Sequence, residues 1–378
     1  MDCQELLRIK NFGPIKDVEL VVRPYMFFVG ASGSGKSTIL KVLAMMRHIF
    51  KLINLRSYLK LGGVADTSIN ISSSQYLSNG GLIDFMNPDT RITYVNSGYE
   101  ISLSAPAGLT GTKKVIDADK LSLEKISFIS DQRGAIASLL AHNNDGDALG
   151  FYFSETFNDF KEAVESVKAI DIPFLNTTFY AQKGSNGIRQ FHIGDLDAHY
   201  AIHFENASSG IHTSTPLATI AEYYSKSYDI VSSTNRSILK LLSQNDSLSS
   251  FKPDMNIGDI SHRSVHLHVE EPELSMSPGA QRSVLNMLIR KCRNAKTPMT
   301  LAVATHSPYI INQLNLLMKA YDSGIDVEGA SLNYSDLGVY RMLDGKVLDI
   351  KVENAHLVNP DYLSDDINDI YDEYEKLN

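Results

Sequence analysis

The residues of this chain whose types and spacing can do chemistry fall in four places. Gly30-Ala31-Ser32-Gly33-Ser34-Gly35-Lys36-Ser37 fits the pattern G-x-x-x-x-G-K-[ST], with Thr38 next. Such glycines let successive backbone N–H groups turn inward on phosphate oxygens. Lys36 then supplies a point charge for the β- and γ-phosphates, and Ser37 a hydroxyl for Mg²⁺. Glu270 and Glu271 follow an apolar run, where a first acid can hold the Mg²⁺ shell and a second can orient and deprotonate water. Isolated, such a pair is an exposed turn; a phosphate loop upstream reverses that reading. His306, after Thr305, is placed to reach a γ-phosphate. Asn206-Ala207-Ser208-Ser209-Gly210 offers hydroxyls and amides at a helix start, an anion-binding surface or, taken alone, an ordinary cap.

Positioning these groups requires particular elements. "YMFFV" (25–29) suits a buried strand, and the pattern after Lys36 begins a helix to about residue 60. "LLRIKNFGPIKDVELVV" reads as two strands joined at Gly13-Pro14, and "RITYVNSGYEISLS" as a hairpin turning at Asn96-Ser97-Gly98. Residues 62–81 read as loop, "KISFIS" (125–130) as a strand, and 134–172 as helical with a break at "HNNDGD". Ser264–Val269 is a strand before the glutamates, and Ser277-Pro278 starts a helix to about residue 292. "TLAVA" follows as a strand ending in Thr305-His306-Ser307-Pro308. A right-handed crossover sets His306 at the same sheet edge as the glutamates.

Composition narrows the classes. The 378 residues are 43% hydrophobic, enough for a sizeable core, and no stretch approaches a membrane span. Cys3 and Cys292 provide neither a disulfide framework nor a zinc spacing, so the chain reads as cytoplasmic. A formal charge of −9 argues against a globally basic nucleic-acid binder. The acidic end, "NPDYLSDDINDIYDEYEKLN", is a solvated helical face or a docking surface.

Taken in order, "IKNFGPIKD", "GASGSGKST", "NASSG", "VHLHVEEPELSMSPGAQ" and "ATHSP" resemble the ABC-type "AAA family" ATPases of the SMC and OLD branch. In particular they resemble ATPase subunits of bacterial anti-phage systems of the Septu, retron and PARIS kinds. The resemblance spans about residues 7 to 312. It implies an α/β fold, an ABC/SMC-like P-loop head with a mixed sheet, an N-terminal antiparallel β-subdomain and a helical insertion. The divisions expected are an ATPase lobe over 1–134, a helical or irregular insertion over 135–200, a second ATPase lobe over 201–320, and a strand with an acidic helical tail over 321–378. ATP and Mg²⁺ are the implied cofactors. Residues Gly30 to Thr38 of one subunit would face Ser208, Ser209 and Gly210 of another across the γ-phosphate, so the protein would be at least a dimer.

Departures qualify the match. Glu270 stands where Asp is usual, and "ASSGIH" replaces the transporter form "LSGGQ". Order alone puts a Q-loop glutamine at Gln75; Arg133 either senses nucleotide or caps the sheet edge. No segment suits a long coiled coil, and no nuclease domain follows "ATHSP". The function expected is an ATP-hydrolysing switch or sensor, controlling a separate effector, a nuclease or toxin, after a phage-protein or nucleic-acid trigger. The alternative is a repair-like ATPase clamping duplex DNA, which would need a basic groove; "RKCRNAK" (290–296) and "TGTKK" (110–114) are short.

Overall fold

A computed structural model describes residues 4–64, 69–105, 107–142, 150–183, 189–197, 199–244 and 248–377. Alternating residues build the first hairpin: β1 (Leu6–Phe12) and β2 (Ile15–Val21) pair antiparallel and bury Leu7, Ile9, Val18 and Leu20. β3 (Tyr25–Val29) leads through the glycine loop into α1 (Lys36–Leu61). Part of the stretch read as loop is a short helix, α2 (Ser73–Asn79). β4 (Arg91–Asn96) and β5 (Tyr99–Ser104) turn through Ser97 and Gly98, both in the left-handed region, as the hairpin reading expected. β6 (Gly108–Thr110) and β7 (Ser122–Ile129) follow.

Next along the chain come α3 (Ile136–Ala141) and α4 (Phe151–Ser166). Beyond His142, the "HNNDGD" break lies outside the described residues. Four strands not drawn from the sequence come next: β8 (Ala169–Ile172), β9 (Thr177–Lys183), β10 (Arg189–Asp195) and β11 (Ala201–His203), a small antiparallel sheet in the order β11-β10-β9-β8. α5 (Ser209–Lys226) and α6 (Ile230–Gln244) lead to β12 (His262–Glu270), α7 (Pro278–Arg293), β13 (Met299–Ala304) and α8 (Pro308–Asp322). β14 (Leu337–Leu343) and β15 (Lys346–Asp349) rejoin the main sheet; β16 (Lys351–Val352), β17 (Leu357–Val358) and α9 (Asp361–Lys376) end the chain.

The main sheet runs β6-β5-β4-β1-β2-β15-β14-β3-β13-β12-β7. Its β14-β3-β13-β12-β7 portion is parallel, and β1, β2, β4 and β5 form the antiparallel part. This is the mixed α/β architecture with an antiparallel β-subdomain and helices that the resemblance implied. Side-chain alternation divides the core into two layers. Phe27, Val29, Leu301, Val303, Leu267 and Val269 face α5, α7 and α8, whereas Met26, Phe28, Ala302 and Ala304 face α1. Parallel register does the positioning: Val269 pairs with Val303, and Ala304 with Phe28, so three strand ends open onto one edge. Among the described residues, no helix is long and apolar enough to cross a membrane.

Candidate functional site

At that edge the chain leaves β3 through Gly30, Gly33 and Gly35, whose φ angles are 140°, 75° and 104°. A Cβ on Gly30 would lie 2.8 Å from the Met342 carbonyl, so close approach as well as φ demands glycine there. Ala31, Ser32, Gly33 and Ser34 form the turn, and Ser37 and Thr38 lie in the first turn of α1. Lys36 folds back on its loop: Nζ donates to the carbonyls of Gly30 at 2.9 Å and Ala31 at 2.8 Å. Burial lowers its pKa, opposed by the charges of Glu271 and Glu273. Ser34 Oγ is buried without a hydrogen-bond partner among the described residues. Buried hydroxyls normally have partners, so this atom suits a loop shaped for a phosphate.

Glu270 ends β12 and is buried; its Oε1 lies 3.4 Å from Lys41 Nζ. Burial pushes its carboxyl up, Asp131 adds to that, and Lys41 and a hydrogen bond from Ser37 oppose it. A hydroxyl beside a carboxylate is an oxygen donor set suited to Mg²⁺, so Ser37 and Glu270 fit the ion implied by the resemblance. Glu271 leaves the strand with φ 42°, a conformation that costs a non-glycine residue about 1–3 kcal/mol. Its amide donates to the Ala304 carbonyl at 2.8 Å, and its carbonyl accepts from Arg133 at 2.6 Å. The bend turns its side chain to His306, with Nε2 3.5 Å from Oε1. The two side chains are 37% and 36% exposed, so water reaches the space beside both.

Arg133 is fully buried, and among the described residues it donates to four carbonyls: those of Thr213, Ser130, Glu270 and Glu271. Burial lowers its pKa to about 10, with Glu273 the first of the opposing charges. Of the two roles left open for Arg133, the bonds are those of a cap on the sheet edge. Gln75 is exposed on α2.

Sequence reasoning missed Glu273. Its Oε1 accepts from the Thr305 hydroxyl at 2.7 Å and the His306 amide at 2.8 Å. The only signal was a third acid in "EEPE", which gives no hint of partners more than thirty residues away.

Ser208 and Ser209 are exposed at the start of α5, and Ser208 makes no side-chain capping bond. Gly210 packs against the loop after Glu273; a Cβ would meet the Ser275 carbonyl at 2.9 Å. Thr213 Oγ1 donates to the Leu274 carbonyl at 2.8 Å. The serine turn is thus fastened to the loop that carries Glu271, with its hydroxyls facing outward.

Residues 5–130 match the family described as an AAA ATPase domain, about the first third of the chain. No curated protein matches this sequence. Among solved structures, the chain is similar to an SMC head bound to the C-winged helix domain of ScpA, at 13% identity and TM-score 0.39, covering 94% of this chain and 100% of that one. The SMC head domain from Thermotoga maritima matches at 13% identity and TM-score 0.35, covering 93% and 100%. A nucleotide-free ATP-binding cassette from an ABC transporter matches at 14% identity and TM-score 0.31, covering 91% and 90%.

Proposed function

We propose that this chain binds and hydrolyses ATP at sites completed by a second copy, and that the ATP-bound assembly governs a separate effector. The observation that carries the reading is the Glu271–His306 pair beside the phosphate loop, 3.5 Å apart and about a third open to solvent. In this reading Lys36 exchanges the Gly30 and Ala31 carbonyls for β- and γ-phosphate oxygens. Ser37 and Glu270 hold Mg²⁺, which supplies neutralising charge on the phosphates when bound. Glu271 takes a proton from water as the water oxygen bonds to the γ-phosphorus and the bond to the β-phosphate oxygen breaks. His306 steadies the terminal phosphate oxygens. The outward Ser208, Ser209 and Gly210 turn receives the γ-phosphate held by the neighbouring copy.

The effector arm rests on other features. α9 exposes Ile370, Tyr371 and Tyr374 beside Asp369, Asp372, Glu373 and Glu375, and Leu377 just past its end extends the apolar row, fit for a basic partner. The resemblance suggests a nuclease or toxin in anti-phage defence, triggered by a phage protein or nucleic acid. Duplex-DNA clamping is less supported because the 290–296 run is engaged within the chain. Arg290 donates to the Glu328 carbonyl, Lys291 pairs with Glu222, and Arg293 pairs with Asp326.

Light scattering with and without Mg·ATP, alone and with the product of the adjacent gene, tests the proposal. ATP-dependent growth in mass and measurable phosphate release are expected. A monomer with neither property would overturn it.

A further inference from the structure

We propose that Glu273 is a positioning residue for hydrolysis, fixing the backbone of the switch loop so that the His306 ring stands against Glu271. The inference rests on reading this edge as an ATP-hydrolysing site. Glu273 lies three residues after the end of β12, and Thr305 and His306 directly follow β13. One carboxylate oxygen, Oε1, accepts from both the Thr305 hydroxyl and the His306 amide, so a single side chain joins two neighbouring strand ends. Both ends are themselves anchored. Met276 N donates to the Glu273 carbonyl, and Thr305 N donates to the Phe28 carbonyl at the end of β3.

The His306 ring is about a third exposed and faces Glu271, with Nε2 3.5 Å from Oε1. Its place is therefore set mainly by its backbone, and Glu273 holds that backbone. The carboxylate sits in the field of two buried cations, Lys36 and Arg133, whose charged forms it favours. Its other oxygen, Oε2, is buried without a hydrogen-bond partner among the described residues. A side chain serving packing alone has no reason to keep an unpaired buried oxygen. A carboxylate kept for the two bonds at Oε1, next to the nucleotide lysine, does.

The test compares kcat and KM for ATP in the wild type, E273A, E273Q, H306A and the double variant E273A/H306A. E273A is expected to lower kcat by about 10- to 100-fold with KM within about twofold, the pattern of a loss felt in the transition state. Gln Oε1 can still accept from Thr305 and His306, so E273Q is expected to recover most of that loss. Because Glu273 acts through His306, E273A should add little once His306 is Ala. Multiplicative losses in the double variant overturn the proposal, as does E273Q no better than E273A, or a rise in KM at constant kcat. If E273A does not fold, Thr305→Val removes one of the two donors and should give a smaller loss that H306A likewise absorbs. A wild type that binds Mg·ATP without turnover would fell the hydrolytic reading alone. The ¹H–¹⁵N signal of the His306 ring then decides: Mg·ATP must shift it in wild type and E273Q, and the same shift in E273A overturns the positioning role.

Discussion

Lys36 is held by two carbonyls of its own loop, and in the proposed reading phosphate oxygens take their place. Lys36→Ala removes a charged donor worth about 1.5–3 kcal/mol, and ATP affinity should fall roughly 10- to 100-fold in a fluorescence titration. Unchanged affinity would sink the nucleotide assignment. Glu271→Gln keeps the shape of the side chain and its contact with water but cannot take a proton. We expect turnover to fall by about 10²- to 10⁴-fold with ATP still bound, measured by phosphate release and nucleotide retention. Wild-type turnover would pass the role of base to Glu270. At this scale the sequence was readable where chemistry is local. Gly30 to Thr38 are adjacent, and their spacing is the motif. Glu271 was legible as an acid after a strand, but its left-handed backbone was not, because Arg133 and Ala304 hold it there from distant segments. Glu273 stayed silent for the same reason: its partners come from the next strand.

The strands around the site were legible because apolar runs end in recognisable turns. The small sheet of β8–β11 was not, since its short polar strands depend on a few buried anchors such as Phe179, Ile193 and Phe204. Nor did the sequence announce the polar layer between β12 and α1. There Arg47 of α1 pairs with Glu5 and contacts His268, and Glu124 of β7 faces His266 at 3.8 Å. Burial pushes the Glu124 carboxyl up to about 7, Glu5 adds to this, and the Ser122 hydroxyl, Arg47 and Lys51 oppose it. A carboxyl raised above its unfolded value of 4.5 stabilises the fold most when protonated. That contribution is full below the unfolded value and is lost as pH rises through about 7. Glu124→Gln keeps the acceptor for Ser122 and cannot ionise. Its urea midpoint should differ little from wild type at pH 5 and exceed it at pH 8, by up to about 3 kcal/mol in stability. An equal gain at both pH values would show that packing, not ionisation, is what the substitution changes.

For the whole molecule, the outward turn at Ser208–Gly210 is the feature least explained within a single copy. Gly210 and Thr213 fasten it to the loop carrying Glu271 and Glu273, so its position is fixed while its hydroxyls face solvent. If the turn serves a neighbour's nucleotide, Ser209→Arg should leave folding and first ATP binding nearly intact, because the side chain points outward. It should block ATP-driven closure by filling the place of the γ-phosphate. Mixing Ser209→Arg with Lys36→Ala then separates shared from private sites. In a mixed dimer one site combines both defects and the other joins two intact halves. Some hydrolysis should return, up to about half of the wild-type rate per mixed dimer when the sites act independently. Sites that must close together give a smaller recovery, so the mixture is read beside Ser209→Arg alone. Full hydrolysis by that single variant, with wild-type dependence of rate on protein concentration, would leave the turn only the work of starting a helix.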